Sequence, residues 1–257
     1  MLMRSKAFMI LNKMLGADLT KQTTIQSENE TFESETIPYL KKWLDYVSKD
    51  SQVLIIGCGH GQEVEWLSHI CAHVTGIDVN GLRVDIARDR IANIDNAEVF
   101  KVEDTMPFED DNFDVIFMYN VCEHIIKIDY WFSEYNRVLK DGGVLINSFG
   151  PLFYSPFGAH LFDILKVPWG HLIFGFKATQ EIRNQIKPNY SYAKNWSDRY
   201  LNRLTEKQYL KVVKNNGFKH QYYKHSTVKK LPVVGDIPIV KNLFINHIES
   251  IIEKISR

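Results

Sequence analysis

Three glycines at alternate positions follow an apolar run early in the chain. Gly57, Gly59 and Gly61 form a G-x-G-x-G pattern within residues 53–67, which read VLIIGCGHGQEVEWL. Glycine lets the backbone turn sharply and approach a ligand closely, and the N–H groups that begin the next helix attract a carboxylate. A dinucleotide fingerprint needs its third glycine one position later, where this chain has Gln62. The pattern therefore favours a cofactor that contains no pyrophosphate.

An acidic residue ends the next predicted strand. The segment HVTGIDVN places Asp78 at the strand end, about 20 residues after the loop, where a carboxylate can accept hydrogen bonds from both hydroxyls of a ribose. A turn that binds nothing would need the glycines but not this carboxylate. The two features together therefore indicate a ligand with a carboxylate at one end and a ribose farther along.

Four sequence blocks resemble the class I methyltransferases, and specifically the subfamily that acts on small molecules and natural products. The blocks are GCGHG (57–61), GIDVN (76–80), VEDTMPFEDDNFDVIFMYNVCEHI (102–125) and EYNRVLKDGGVLINS (134–148). They occur in the family's order. The resemblance implies S-adenosylmethionine as the cofactor and S-adenosylhomocysteine as the product. This cofactor presents a carboxylate, a ribose and an adenine in the order that the loop and Asp78 require.

The resemblance also implies a set of cofactor-binding residues, namely Gly57, Cys58, Gly59, Gly61, Asp78, Val79, Glu103, Asp104, Thr105 and Asn120. Asp104 would hydrogen-bond the adenine amino group with the Thr105 backbone alongside, and the Asn120 backbone would face the methionine end. The family usually has an acidic residue two positions before the first glycine, where this chain has Ile55. We expect either Glu63 or an acidic residue of the N-terminal segment to hold the cofactor's ammonium group instead.

Apolar runs and helical stripes alternate from residue 36 to residue 150 and predict a doubly wound α/β sheet. The expected strands are Gln52–Ile56, His73–Ile77, Ala97–Val102, Phe113–Tyr119 and Val144–Ser148. Ligands of such sheets bind outside the carboxyl ends of the strands, where Asp78, Asp104 and Asn120 fall. With the family resemblance, the prediction is a Rossmann-like, seven-stranded, mostly parallel sheet with an inserted acceptor-binding cap.

The domain prediction has four parts. Residues 1–47 form an N-terminal helical lid, with packing on the outside of the sheet as the alternative, and residues 48–149 form the cofactor-binding core. Residues 150–203 form the aromatic cap, and residues 204–257 complete the core. The tail is predicted to end in an amphipathic helix whose apolar side comprises Leu243, Ile248, Ile251, Ile252 and Ile255.

The cap segment is rich in aromatic residues. Residues 149–200 contain twelve of the chain's 32 aromatic side chains. These side chains are open to three interpretations: the cap's own small core, a pocket that stacks on a sugar ring or flat acceptor, or a patch that faces a membrane.

The predicted chemistry is a direct displacement on a sulfonium methyl group, for which alignment can supply about 7–11 kcal/mol. A hydroxyl acceptor would also need a general base, and histidine has a suitable pKa. The candidates for the general base are His124, His160 and His171. Tyr154 could orient the acceptor. The alternative role for His124 is to brace its own loop. His160, Asp163 and His171 could together bind a metal, but their spacing matches no zinc signature, so no metal site is predicted.

Composition restricts the partners and the compartment. A net charge of +0 and a pI of about 7.1 argue against nucleic acid. Cys58, Cys71 and Cys122 have no metal-ligand spacing and are too few for a disulfide framework, which favours a cytoplasmic location. No apolar stretch reaches the roughly 18 residues of a membrane span. Peripheral membrane contact and the oligomeric state stay open.

The sequence thus predicts an enzyme that forms a methyl ether on a small hydroxylated acceptor such as a sugar or another metabolite. Methylation of a lipid or quinone is the alternative acceptor class. An alternative of another kind is a regulatory or assembly subunit that binds the cofactor without transferring its methyl group. In that case, aromatic residues such as Phe153 or Trp169 should fill the acceptor pocket.

Overall fold

The computed structural model describes residues 2–15, 29–160, 165–186, 201–228 and 241–256. Its centre is a seven-stranded sheet, which confirms the predicted fold class. The strands are β1 (Gln52–Ile56), β2 (His73–Asp78), β3 (Ala97–Lys101), β4 (Phe113–Tyr119), β5 (Leu139–Phe149), β6 (Phe218–Thr227) and β7 (Ile245–Lys254). Their order across the sheet is β3-β2-β1-β4-β5-β7-β6, and only the pairs made by β7 are antiparallel.

The α-helices are α1 (Leu2–Met14), α2 (Ile37–Lys42), α3 (Gln62–Ser68), α4 (Gly81–Ile91), α5 (Ile128–Val138), α6 (Gly170–Ile173), α7 (Phe176–Ile186), α8 (Glu206–Asn215) and α9 (Lys241–Phe244). A π-helix covers Phe32–Thr36, and 3-10 turns cover Leu44–Tyr46 and Cys122–His124. Helix α8 begins after a capping box formed by Thr205 and Gln208. Gly217 follows it with a φ of 75°, as expected for a residue that ends a helix.

Successive side chains of the central strands pack into two separate cores, one on each face of the sheet. Leu54 and Ile56 of β1 join a core with α5 and α8. Val53 and Ile55 join a second core with α2, α3 and α4. Because both faces are covered, these strands read as continuous apolar runs, which is why their positions could be predicted closely.

The predicted C-terminal amphipathic helix is wrong. Residues 245–254 form strand β7, which lies between β5 and β6 in antiparallel register. Ile248 and Ile252 enter the core beside α5 and α8, and Ile251 enters the core on the opposite face. Isoleucine is β-branched and favours strands over helices. The spacing of these residues suits either structure, and the two neighbouring strands decide between them.

Helix α1 packs against the described part of the cap segment. Phe8 joins a third apolar cluster with Leu165, Val167 and Ile182, and its ring stacks on Phe174 at a centroid distance of 4.6 Å. These contacts favour the first interpretation of the cap aromatics, a small core of the cap itself, for the residues involved. None of the helices in the described ranges combines the length and apolar character that crossing a membrane requires.

Candidate functional site

The glycine loop joins β1 to α3 and has a backbone that requires glycine. Gly57, Gly59 and Gly61 have φ angles of 72°, 54° and 82°, a region that other residues rarely adopt. A Cβ atom added to Gly57 would lie 2.4 Å from Cγ2 of Val121. The backbone N–H groups of Gly57 and Cys58 donate to the Ile77 carbonyl oxygen at 2.7 and 3.0 Å. The loop is therefore held against the end of β2 and against the loop that follows β4.

Asp78 lies at the end of β2, directly beside the glycine loop. Its Oδ2 accepts a hydrogen bond from the Gly59 N–H at 3.0 Å, and its Oδ1 accepts one from the Asn80 N–H at 2.8 Å. The side chain is only partly buried. An ionised carboxylate offers about four acceptor positions, so roughly two stay available for a ribose diol. The cradle formed by Asp78 and Gly59 thus fits the ribose of S-adenosylmethionine.

Cys58 occupies the loop position between Gly57 and Gly59 and is only 1% exposed. Its side chain lies beneath Gly76, where an added Cβ would come within 2.9 Å of the sulfur. Burial, with Asp78 nearby, raises the pKa of the Cys58 thiol well above its usual value. The thiol is therefore a small packing group, and the predicted contact with the cofactor can come only from its backbone.

The residues predicted to bind adenine lie after β3 on the same edge of the sheet. Glu103, Asp104 and Thr105 are exposed, and Glu103 forms an ion pair with Lys101. Asp104 lines a cavity of about 540 Å³, together with residues 126–130. This volume is larger than an adenine base requires.

The end of β4 brings together residues that the sequence analysis treated separately. Asn120 has a φ of 53°, and its N–H donates to the Ser148 carbonyl oxygen at 2.7 Å. Burial and the carboxyl groups of Glu35 and Glu63 raise the pKa of Tyr119. Tyr119 and Glu35 were not identified from the sequence, because Glu35 lies in an N-terminal segment with no recognisable motif.

Glu63 lies in the first turn of α3, close to Asp78 and Arg83. Burial, reinforced by the Asp78 charge, raises the pKa of the Glu63 carboxyl to about 7. Ile55, which stands at the position where the family usually has an acidic residue, is 3% exposed within the core. Glu63 from α3 and Glu35 from the N-terminal segment, the two kinds of replacement expected for that acid, both lie close enough to Tyr119 for their charges to raise its pKa.

Two of the predicted catalytic histidines lie together. The rings of His124 and His160 meet edge to face at a centroid distance of 5.2 Å. Ligand atoms of Glu123, His124 and His160 all lie within 4.8 Å of one another. Glu123 is 4% exposed, and burial raises the pKa of its carboxyl to about 8. Glu123 was not predicted as a site residue, although its position directly before His124 was a usable signal in the sequence.

His160 and His171 are both held by backbone carbonyl groups. Nε2 of His160 donates to the Pro151 oxygen at 2.6 Å, and Nε2 of His171 donates to the Phe153 oxygen at 2.6 Å. Burial, with His124 nearby, lowers the pKa of His160 to about 3, and burial also lowers the pKa of His171. Both imidazoles are therefore poor general bases near neutral pH.

The remaining cap residues named from the sequence have contacts within the cap segment or with the C-terminal segment. The Tyr154 ring meets the Phe153 ring edge to face, and Phe153 packs in the same way on His171. The Trp169 side chain donates from Nε1 to the Leu243 carbonyl oxygen at 3.1 Å. Trp169 is thus directed toward the C-terminal segment. Asp163, the third member of the metal set that the sequence analysis considered, lies outside the described residues.

Comparisons with known proteins agree with this geometry. Residues 54–147 match a family model described as a methyltransferase domain, and solved S-adenosylmethionine-dependent methyltransferases share the fold. Residues 54–147, about a third of the chain, are therefore similar to the methyltransferase domain family. The match spans the glycine loop, Asp78, Asp104 and the Glu123–His124 pair, and it ends before the cap.

Two curated relatives each match about two fifths of the chain. A demethylmenaquinone methyltransferase from Tropheryma whipplei is 32% identical over 100 residues, which cover 39% of this chain and 42% of that protein. A ubiquinone biosynthesis O-methyltransferase from Pelagibacter ubique is 30% identical over 98 residues, which cover 38% of this chain and 41% of that protein. The chain therefore spans less than half the length of these relatives.

A solved structure extends the likeness of fold beyond the methyltransferase domain. The geranyl diphosphate C-methyltransferase from Streptomyces coelicolor A3(2), in complex with Mg²⁺, geranyl diphosphate and S-adenosyl-L-homocysteine, superposes with a TM-score of 0.59. The superposition covers 92% of this chain and 85% of that chain at 14% identity. At this identity the likeness concerns the fold alone.

Proposed function

We propose that the protein transfers a methyl group from S-adenosylmethionine to a hydroxyl group of a small acceptor. The observation that carries the proposal is the junction of two loops at the carboxyl edge of the sheet. The glycine loop, hydrogen-bonded to Asp78, packs through Gly57 on Val121, directly before the Glu123–His124 pair. A cofactor in the first loop would therefore lie next to polar side chains that can face an acceptor.

Each part of the cofactor has a matching group on the chain. The Asp78 carboxylate would accept hydrogen bonds from the ribose hydroxyls, and the Asp104 carboxylate would accept one from the adenine amino group. Val79 and Leu82 are 65% and 71% exposed beside Asp78 and offer apolar surface to the adenine ring. When bound, S-adenosylmethionine supplies a methyl group on a positively charged sulfur. The protein's contribution is to align this methyl group with the acceptor oxygen and to exclude water.

The cofactor's ammonium group has two acidic neighbours in this proposal. The charges of Glu63 and Glu35 both raise the pKa of Tyr119. Tyr119 is the last residue of β4, next to the predicted methionine site. Together they would take the role of the acidic residue that the family usually has at the position of Ile55. Glu63 lies in the first turn of α3 and has a raised pKa, so its contribution can be measured through the pH dependence of cofactor binding.

Replacing Glu63 with Gln should remove a pH dependence of cofactor binding. Glu63, with a pKa of about 7, is mostly protonated in the free protein below neutral pH. Pairing with an ammonium group requires the ionised form, so affinity should rise about fivefold between roughly pH 6 and pH 7 and then level off. The cofactor's own amino group stays mostly protonated over that range. Calorimetric titrations with S-adenosylmethionine at several pH values would measure the change.

The matched control for this experiment is Glu65→Gln. Glu65 lies on the same helix but forms an ion pair with Arg90 at 2.8 Å, so this variant should keep the wild-type pH profile. Glu63→Gln should bind the cofactor more weakly at neutral pH and with a flat profile. An unchanged rise with pH in Glu63→Gln would show that another group holds the ammonium.

The acceptor site is proposed on the cap side of the His124 loop. His124 is the histidine that best suits the role of general base, because the lowered pKa values of His160 and His171 weaken them as bases. In the reaction the acceptor oxygen forms a bond to the methyl carbon, the S–CH₃ electron pair stays on sulfur, and the hydroxyl proton passes to the base. The polar character of this loop supports a hydroxylated sugar or metabolite as the acceptor.

A lipid or quinone acceptor is the second candidate. It is favoured by the names of the two curated relatives and by an apolar face at the end of α1. There Ile10, Leu11 and Met14, with Leu15 directly after the helix, are 37–77% exposed. The relatives match only the cofactor half of this chain, however, and their acceptors carry over weakly. The apolar face lies on the helix that packs against the cap, so it could lead a hydrophobic acceptor toward the site.

Methyl-labelled S-adenosylmethionine, offered with a panel of acceptors, tests the proposal. The panel should include hydroxylated sugars, simple phenols and isoprenoid quinols, with label transfer and S-adenosylhomocysteine formation as the readouts. Labelling of a hydroxyl oxygen in any class supports the proposal, and the class labelled identifies the acceptor. Cofactor binding without transfer to any acceptor would favour the non-catalytic alternative. A failure to bind either form of the cofactor would overturn the proposal.

A further inference from the structure

Three side chains of types that can bind a metal ion meet beside the loop that follows β4. Glu123 and His124 come from the 3-10 turn Cys122–His124, and His160 comes from the cap segment. One ligand atom from each lies within 4.8 Å of the other two. His160 is distant in the sequence from the Glu123–His124 pair but meets it where the cap segment lies against the loop that follows β4.

Glu123 is the member whose burial most needs an explanation. It is 4% exposed, and its Oε2 is fully buried with no hydrogen-bond partner among the residues that the structure describes. Its Oε1 accepts one long hydrogen bond, from the Gly150 N–H at 3.4 Å. A buried carboxylate is costly unless it is paired or coordinates a metal. A cation at this place would pair with the unpartnered oxygen and displace the proton from the carboxyl group.

The surrounding backbone holds the three groups in position. The Asn202 side chain donates to the carbonyl oxygens of Cys122 and Ile125 at 2.6 and 3.1 Å, and the Asn202 N–H donates to the Glu123 carbonyl oxygen at 2.9 Å. His160 has a φ of 56°. These contacts brace the turn from the outside, as the second shell of a metal site does.

The tautomer of His160 suits coordination. Its Nε2 carries the proton, because its partner at 2.6 Å is the Pro151 carbonyl oxygen, which can only accept. In a neutral imidazole the lone pair is then on Nδ1. A metal-bound histidine commonly donates its other ring N–H to a backbone carbonyl group in this way.

We propose that Glu123, His124 and His160 bind a divalent transition-metal ion of the Zn²⁺ class. Two imidazoles and one carboxylate match the ligand preferences of zinc, cobalt and iron, whereas magnesium and calcium prefer sites made of oxygen atoms. Three protein ligands leave at least one coordination position open, as in catalytic zinc sites. This proposal revises the sequence prediction that no metal site is present.

The role of the ion rests on the proposed function, whereas its binding does not. At the open position, an oxygen atom of the acceptor would replace water. With the ion bound, His124 would be one of its ligands and would no longer serve as the general base. Coordination would lower the pKa of the bound hydroxyl group, so its proton would pass to solvent before the oxygen attacks the methyl carbon. Acceptors whose hydroxyl group is not ionised at neutral pH would gain most from this coordination.

Metal binding can be measured with the ion alone. The full chain, dialysed against EDTA, is titrated with Co²⁺ under visible absorption, and Zn²⁺ is then used to displace the Co²⁺. We expect one equivalent of Co²⁺ per chain with d–d bands in the visible range. Glu123→Gln and His124→Asn should each weaken binding by about 10- to 100-fold or more. Loss of one ligand should also change the band positions.

His69→Asn is the matched control, because His69 is an exposed histidine on the outside of the sheet. This variant should bind Co²⁺ as the wild type does. Absence of Co²⁺ and Zn²⁺ uptake by the wild type, or equal uptake in all variants, would overturn the proposal. If Glu123→Gln fails to fold by circular dichroism, His124→Asn decides the result, since His124 is only partly buried.

Titration of S-adenosylhomocysteine into the same samples separates the two proposals. Cofactor binding should persist in the EDTA-treated protein and in both ligand variants, because the ribose site at Asp78 is made by other residues. Loss of metal uptake with intact cofactor binding would overturn only the metal site. Loss of cofactor binding in the wild type would overturn the proposed function whatever the metal result.

Discussion

Replacement of Asp78 with Ala should weaken the binding of S-adenosylhomocysteine about 100-fold, a loss of roughly 3 kcal/mol. The carboxylate would lose its hydrogen bonds to the two ribose hydroxyls, and hydrogen bonds to charged groups contribute about 1.5–3 kcal/mol each. The change would also release the Gly59 N–H from its partner at 3.0 Å and loosen the loop. Isothermal titration calorimetry of both proteins would measure the difference.

The control for this prediction is Asp85→Ala. Asp85 lies on α4, is 69% exposed and pairs only with Arg88 among the contacts described, so its removal makes the same change in net charge away from the loop. Its affinity for S-adenosylhomocysteine should equal that of the wild type. Equal affinities for wild type and Asp78→Ala would exclude the ribose role of Asp78 and, with it, the proposed placement of the cofactor.

Replacement of Ile252 with Ala should lower the free energy of unfolding by about 2–5 kcal/mol. Ile252 is fully buried in the middle of β7, where it faces Leu145 of β5 and His220 of β6. Its loss leaves a cavity in the core shared with α5 and α8. Urea unfolding followed by circular dichroism would measure the change.

Ile255→Ala is the comparison that makes this prediction decisive. Ile255 is 47% exposed beyond the end of β7, so its replacement should change the free energy of unfolding by less than about 0.5 kcal/mol. An amphipathic helix would place Ile252 and Ile255 on the same buried side. Similar losses in the two variants would therefore contradict the strand.

The sequence located the parallel strands well. The predicted bounds of β1 and β4, Gln52–Ile56 and Phe113–Tyr119, are those of the structure. These strands are buried on both faces, so their apolar runs are continuous and end at polar or glycine residues. β5 is the exception among the parallel strands, because it begins at Leu139 instead of Val144. The first residues of β5 pair with β4 through a register shift between Phe113 and Val115. No local sequence pattern reveals this shift.

The cofactor half of the site was also predictable, because its residues follow strand ends that the sequence shows. The glycine spacing demands a particular backbone, and Asp78 lies where the next strand must end. Tyr119, Glu35 and Glu63 could not be grouped in the same way. Their proximity depends on how the N-terminal segment packs over the end of β4, which is a matter of tertiary contact.

What the amino-acid sequence determined by itself was the doubly wound core and the cofactor loop, because both depend on local patterns of apolar residues and glycine. Only the tertiary structure decided that the C-terminal isoleucines form a strand, since that choice depends on the hydrogen bonds offered by β5 and β6. It alone also brought His160 to Glu123 and His124. Their meeting requires the cap to fold back on the sheet edge, and burial of its apolar residues, rather than any motif, drives that return.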